Sequence, residues 1–458
     1  MAKLLLGGAD MIHYILLPAL AMCLGWGIRG QFGGETGAMV PGALVALALA
    51  LLSGWRGTDA ARLAAVGAFA CSLGGMETYG QTIWLVQGQS PSPTYWWGLL
   101  GLAIKGGAWI GLTGIFLAIA VSDRYRRVEL LALIIAMLVF GAVGLYLLNR
   151  PHNPPDELPF IYFSKRFDPK PRVEWWGGLW FALLTVMLYA GAVKKHRQAV
   201  TMGLWGILGG AIGFSVGEML QAWGTHQTPF GQAIQPFIDW WKVMEMSFGF
   251  IAGAVLGIGW KLTRLSEAPI PSIKPWARPL DDLTILLWVI PILAIDLQIS
   301  WAEGWGNLPD LWMLLALLGS LVGSGWAPFG TGVAVTLVSA SDTLRYLWDE
   351  HQLIAFSWGF AGLVVLTLVA GYLSALWYRQ GAPVRTWFLW TAWMQTALTW
   401  IKLAPVPLLK PDGRGWLERW GSAAVVELSF VLLAVLLTVL ASAWGRHSAA
   451  KETSTAPG

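Results

Sequence analysis

Val243-Met244-Glu245-Met246-Ser247-Phe248 opens a long apolar run with a carboxylate inside it, and Val425-Val426-Glu427-Leu428-Ser429-Phe430 does the same near the other end of the chain. On insertion scales a charged side chain at the centre of a membrane-spanning helix costs about 2.5–3.5 kcal/mol, and less towards the interface. Keeping that cost twice, in the same local wording, predicts a chain built from copies of one helical unit in which the acid has a task.

The surrounding composition sets the class. Of 458 residues 56% are hydrophobic against 12% charged, with 55 glycines, 30 tryptophans and a mean hydropathy of +0.58, which excludes an ordinary soluble globule. The runs 39–52, 130–148, 179–192 and 428–443 are long enough, with their flanks, to cross roughly 30 Å of hydrocarbon as helices. Barrel-like alternation at period two is absent. The expected fold is therefore an all-α, polytopic membrane helix bundle of 12–14 transmembrane helices.

At the start of the chain Lys3 precedes an apolar stretch that Asp10 interrupts, and no small-x-small cleavage site follows, so a retained first helix is expected. Cys23 and Cys71 lie in apolar segments and imply neither a disulfide framework nor a metal site. The net charge of +4 is no nucleic-acid footprint; the partner it leaves is the lipid bilayer.

Lysine and arginine gather at every second connection: Arg56 with Arg62, then Arg124, Arg126 and Arg127, then Lys194, Lys195 and Arg197, then Lys261, Arg264, Lys274 and Arg278. The alternate connections at 87–94, 224–239 and 302–310 have neither residue. The positive-inside rule makes the first set cytoplasmic, which predicts a multi-pass protein of the cell inner membrane with a cytoplasmic N-terminus. Residues 149–174 are the exception, an outward loop carrying Arg150, Lys165, Arg166, Lys170 and Arg172 that is a candidate for part of a site.

Reading outward from the repeated phrase, Gly217-Glu218-Met219-Leu220-Gln221-Ala222-Trp223 precedes one copy and Trp393-Met394-Gln395 the other. A third version lies at the front, where Gly75-Met76-Glu77-Thr78-Tyr79-Gly80-Gln81 precedes Tyr95-Trp96-Trp97 and Lys105 takes the place of Glu245. Arg29 then Glu35 resembles Arg150 then Glu174 ahead of a glycine-led helix. The resulting division is three parallel repeats of a four-helix unit, at 1–122, 128–262 and 282–445. The last carries an apolar insertion at 311–340, and residues 446–458 read as a disordered tail. Shared hydrophobic composition is the competing explanation of the likeness.

Glycines at helical spacing, Gly249, Gly253 and Gly257 on one run and Gly206, Gly210, Gly213 and Gly217 on another, predict close helix crossings. By the same topology nearly all of Arg29, Glu35, Glu77, Lys105, Glu218, Lys242, Glu245 and Glu427 fall towards one side of the membrane. Gln81 and Gln221 stand one turn beyond Glu77 and Glu218 and share their faces. Left unpaired, so many buried charges would cost more than a typical fold's net stability, so they must share a polar interior. Structural ion pairs are the alternative role.

The stretch from Gly25 to Glu35 contains G-x-G-x-x-G, but after a membrane helix rather than a strand, which rejects a dinucleotide fingerprint. A glycine-rich break beside Arg29 suits a phosphate or carboxylate instead. There is no H-E-x-x-H, no G-x-S-x-G and no cysteine cluster, so neither a metal site nor a cofactor is indicated. The leading functional expectation is a secondary transporter for a small polar or anionic solute, with proton coupling through the glutamates as one option and an ionisable cavity towards the outer leaflet. The alternative is a membrane-embedded transferase or hydrolase acting on a lipid or lipid-linked substrate at the outer face.

Overall fold

The computed structural model describes residues 8–55, 57–77, 79–87, 93–150, 159, 161–164, 172–268, 339–340, 342–355, scattered positions between 357 and 380, 381–403 and 416–455. The described residues are helical apart from turns and links, with no strand among them. In chain order the long elements are α1 (Gly8–Arg29), α2 (Glu35–Leu52), α3 (Gly57–Gly75), the short α4 (Gly80–Val86), α5 (Pro93–Ala120) and α6 (Arg127–Leu148). There follow α7 (Trp176–Leu188), α8 (Arg197–Ala222), the short α9 (Pro229–Ile234), α10 (Trp240–Leu262), α11 (Val384–Leu403) and α12 (Trp416–Thr455).

Eight helices among the described residues are long and apolar enough to cross a membrane. That agrees with the all-helical membrane class read from composition, and the count is of the described part alone. The insertion at 311–340 lies outside the described residues except for its last two. α12 runs on to Thr455, through most of the stretch read as a tail.

Glycine sets the packing. α10 lies along α1, and a Cβ added at Gly249, Gly253 or Gly257 would strike the carbonyls of Met22, Pro18 and Tyr14 in turn. On α8 the glycine stripe divides its work: Gly206 and Gly210 meet the backbone of α5, while Gly213 and Gly217 meet α10 at Phe248 and Met244. Both stripes read from the sequence are thus backbone-to-backbone crossings, which side chains larger than hydrogen would hold apart.

α2 is apolar on every side because it is enclosed on every side; apart from its first two residues and Leu51 it is buried throughout. It crosses α3 where Gly42 and Gly67 each face the other's carbonyl. α6 is the opposite case. Val128, Leu131, Ile135, Leu138 and Val139 stand exposed along it, an apolar surface suited to acyl chains and not to water.

The elements that carry charge come together at one end of this bundle. α1 ends at Arg29, α2 begins at Glu35, α3 ends just before Glu77, α7 begins just after Glu174, and α10 begins just before Lys242 and Glu245. Lys105 stands twelve residues into α5, about 18 Å from its start at 1.5 Å per residue. Groups from the helix ends can reach it only because residues 76–77 and 79–87, with the short α4, and residues 161–164 fold back into the bundle.

Candidate functional site

α1 stops at Arg29 because the next residues cannot continue it: Gly33 takes a positive φ of 81°, and Gly30 and Gly34 flank it. The first turn of α2 packs on that end, where a Cβ at Gly37 would strike the Arg29 carbonyl. Arg29 is thereby fixed facing inward, 6% exposed. Its guanidinium carbon lies 5.4 Å from the Trp26 ring centroid, 5.0 Å from Tyr79 and 5.2 Å from Trp109. Nη1 donates to the Tyr79 hydroxyl and Nη2 lies 3.5 Å from the Gly34 carbonyl, while Nε has no partner among the described residues. No carboxylate among the described residues forms an ion pair with it.

Tyr79 passes the contact on. Its hydroxyl donates to Glu245 Oε1 at 3.3 Å, and the same oxygen accepts from Trp241 Nε1 at 3.2 Å. Lys242 Nζ lies 2.6 Å from Glu245 Oε2. The local fold supplies this pair: the Asp239 carboxylate caps α10 by accepting from the Trp241 and Lys242 amides, and the three-residue spacing brings Lys242 over Glu245.

A second ionic group lies deeper. Lys105 Nζ is 3.0 Å from Glu77 Oε1 and 2.8 Å from Glu174 Oε1, with all three side chains fully buried. It also donates to Thr82 at 2.8 Å. Around Glu174 every neighbour is a donor: Ser164 at 2.7 Å joins Lys105 on one oxygen, and the Phe163 amide at 3.0 Å and Trp176 Nε1 at 3.2 Å meet the other. Glu77 Oε2 accepts the Trp175 amide at 2.9 Å. These bonds tie α3, α5, α7 and the 161–164 segment into one knot, and buried charges persist only when so satisfied.

Two lysines thus meet three carboxylates, and the pairing is uneven in space. Lys105 has two acids, Lys242 has one, and Arg29 has none. Arg29 also lines a cavity of about 650 Å³, together with Gly30, Gly33, Gly34, Glu35, Glu77, Tyr79, Gln81, Trp84, Arg172, Trp241 and Glu245. The arrangement is an open chamber with two lysine–carboxylate groups in its wall, Glu35 and Arg172 on its lining, and the Arg29 guanidinium stacked among aromatic rings.

Of the residues read from the sequence, Arg29, Glu35, Glu77, Gln81 and Glu245 line this cavity, and Lys105 and Lys242 bond to acids in its wall. Gln81 accepts from the Arg172 amide at 3.2 Å. Gln221 lines a separate cavity of about 280 Å³ with Thr225, Gln235, Asp239, Trp240 and Trp241. Glu218 is buried one turn before it, and neither oxygen has a partner among the described residues. Glu427 is buried on α12, its carbonyl accepting from Trp400 Nε1 at 3.2 Å and its Oε2 without a partner among the described residues. These last three do not line the larger cavity.

Sequence reasoning reached Arg172 and Glu174 only as members of the 149–174 loop that was a candidate for part of a site, and it missed Tyr79 and Trp241 as site residues. Glu174 had a signal, an acid directly ahead of an apolar run. Tyr79 had none, because a tyrosine beside a helix break is ordinary until Arg29 is seen against it. No group of three or more His, Cys, Asp and Glu among the described residues is arranged to hold a metal ion.

At the opposite end of the bundle His196 is buried between α7 and α8, its Nδ1 3.0 Å from the Tyr125 hydroxyl. Burial pushes the imidazole down to about 4, with Arg124 adding to the shift, and holds the Tyr125 phenol above its usual range.

Fold and site together define a helical membrane protein with a charge-lined chamber at one end. The sequence matches no family model and no curated protein.

Proposed function

We propose that this chain is a secondary transporter for a small anionic or polar solute, bound in the chamber at Arg29. One observation carries the reading: a buried guanidinium with no carboxylate partner among the described residues faces a cavity of about 650 Å³. Aromatic faces stabilise such a cation by about 0.5–2 kcal/mol each when desolvated, but they leave its donors open to a planar anion. A carboxylate or phosphate would accept from the guanidinium and compete with Tyr79 for it. The two lysine clusters hold the walls and leave the specificity to Arg29, Gln81 and Arg172.

The finer organisation proposed is three parallel four-helix units, the cavity opening outward and the N-terminus in the cytoplasm of a cell with this protein in its inner membrane. Supporting the repeat reading, Lys105 and Glu245, equivalent positions in the first two units, both belong to the charged layer. Alternating access then requires the glycine crossings of α10 on α1 and α8 on α5 to slide, the closest contacts between the two proposed units.

The test is uptake into proteoliposomes under an imposed pH gradient, across a panel of labelled carboxylates, phosphates and neutral polyols, with wild type and Arg29→Gln. Losing a charge-assisted contact worth about 1.5–3 kcal/mol predicts a loss of affinity of about ten- to a hundredfold for the anion. Undiminished uptake by Arg29→Gln, or no uptake of any solute by wild type, refutes the reading.

A second reading has its own observation. An apolar groove of about 190 Å³ between α3, α5, α6 and α7 is lined by Leu73, Leu112, Met137, Leu145 and Leu179, and by Met76, which also lines the charged chamber. An alkyl chain there with its anionic head at Arg29 is the arrangement for an enzyme acting on a lipid-linked substrate. Turnover of a lipid-linked phosphate in micelles, without solute uptake, selects it.

A further inference from the structure

The transport reading leaves open which acid carries the coupling proton, and the buried acids Glu77, Glu218, Glu245 and Glu427 are not equivalent in the fold. Glu77 is held by Lys105 and the Trp175 amide, and Glu245 by Lys242, Tyr79 and Trp241. Both accept from several donors at once. Glu427 is buried on α12, with its Oε2 lacking a partner among the described residues.

Glu218 differs from all three. It is 0% exposed on α8, and both oxygens lack a partner among the described residues. The titratable and charged groups on the elements packed against it are accounted for elsewhere. On α5, Lys105 is taken by Glu77 and Glu174, and the Tyr95 phenol is within electrostatic reach of Glu218 but supplies no positive charge. On α10, Lys242 is taken by Glu245. Ahead of α4, Tyr79 is taken by Arg29 and Glu245, and past the end of α8 His226 lies two turns on, in a more exposed position. An isolated carboxylate in such a place would cost several kcal/mol, whereas a neutral acid costs little more than an unmade hydrogen bond.

Two further features connect Glu218 to solvent and to the anion site. Gln221, one turn along the same helix face, opens on the cavity of about 280 Å³, and its Oε1 has no partner among the described residues. Trp241 lines that cavity and the Arg29 chamber alike. On the other side, Phe214, one turn before Glu218, packs its ring on Tyr79 at 5.1 Å and stacks on Phe248 at 4.6 Å. A solute that draws Arg29 away from Tyr79 therefore acts on the helix turn that carries Glu218.

We propose that Glu218 is the proton carrier of the transport cycle, loaded through the cavity at Gln221 and coupled to the anion site through Tyr79, Phe214 and Trp241. This rests on the transport reading above. The chemistry is a single reversible step: the Glu218 carboxylate takes a proton from hydronium on the side the chamber faces, one O–H bond forming on the acid as one breaks on hydronium to leave water, and on the other side the acid gives the proton to water, which becomes hydronium.

Two measurements test it, one independent of transport. Infrared difference spectroscopy of the protein in lipid at neutral pH should show a protonated-carboxyl C=O stretch that disappears in Glu218→Gln and persists in Glu129→Gln, whose acid is paired with Lys194 at the far end. In proteoliposomes, Glu218→Gln should lose at least tenfold of the pH-gradient-driven uptake while its anion affinity in detergent changes by less than threefold, and Glu218→Asp should recover part of the uptake. A missing infrared band, a band unchanged in Glu218→Gln, or gradient-driven uptake that survives in that variant overturns the proposal. If wild type transports nothing, the coupling role falls with the transport reading. The infrared result then still decides whether Glu218 holds a proton.

Discussion

Replacing Glu174 by glutamine tests the deep ionic knot, because the change keeps shape and removes only the charge and one acceptor. Both oxygens of Glu174 face donors alone: Lys105 and Ser164 on one side, the Phe163 amide and Trp176 on the other. A glutamine must turn its NH2 towards one of these pairs, so two donors lose their acceptor and a third donor is buried against them. Hydrogen bonds to a charged group contribute about 1.5–3 kcal/mol, and breaking one side of a buried pair costs about 3–5 kcal/mol. The expected loss is therefore about 3–5 kcal/mol, a large part of the roughly 5–15 kcal/mol that holds a typical fold. Glu77→Gln should cost less, since its oxygens meet only Lys105 and the Trp175 amide and Lys105 keeps Glu174. The assay is thermal unfolding in mild detergent at one fixed scan rate, followed by tryptophan fluorescence, with the Lys105→Met and Lys105→Met/Glu174→Gln variants closing a double-mutant cycle. Glu174→Gln should melt several degrees below Glu77→Gln, and the double variant should be less damaged than the two singles predict together. A Glu174→Gln protein that melts with the wild type would refute the account of the knot.

Gly253→Val should disrupt the crossing of α10 on α1, where any Cβ meets the Pro18 carbonyl; the expected readout is loss of monodisperse protein on size exclusion, and a well-behaved variant would contradict the packing. Gly30→Ala should act on binding more than on folding. Its Cβ would lie 2.7 Å from Lys242 Nζ and 3.0 Å from Glu245 Oε1, and the flexible lysine can yield while the pair beside Arg29 opens; anion titration and melting curves separate the two effects. His196 supplies a pH effect. Its folded value of about 4 lies below the usual value of 6.5, so the unfolded chain binds the proton more readily, and this contribution is complete above about 6.5 and is lost as the pH falls towards 4. Melting temperature against pH should fall more steeply over that window in wild type than in His196→Gln, and equal slopes would count against it.

Much of the class was legible in composition and spacing. Thirty tryptophans, the low charge and the apolar runs require helices in lipid, because only helices or closed barrels satisfy every backbone group there. The glycine stripes on α8 and α10 announced backbone crossings, and the rarity of charge within apolar runs grouped eight residues, of which Arg29, Glu35, Glu77, Lys105, Lys242 and Glu245 meet at the chamber or its wall while Glu218 and Glu427 do not line it. Which acid meets which base was not legible. Lys105 bonds Glu77 and Glu174 across 28 and 69 positions of sequence, and Tyr79 reaches Glu245 across 166. A local pattern can price a buried charge but cannot say what neutralises it, since ion pairing depends on distances of a few ångströms between helices whose order in space is set by packing. Sequence alone therefore decided that polar groups share a membrane interior. Only the tertiary structure decided that two lysines are occupied by their acids, that Arg29 is left facing a chamber, and that Glu218 stands apart with no cation from the described residues beside it.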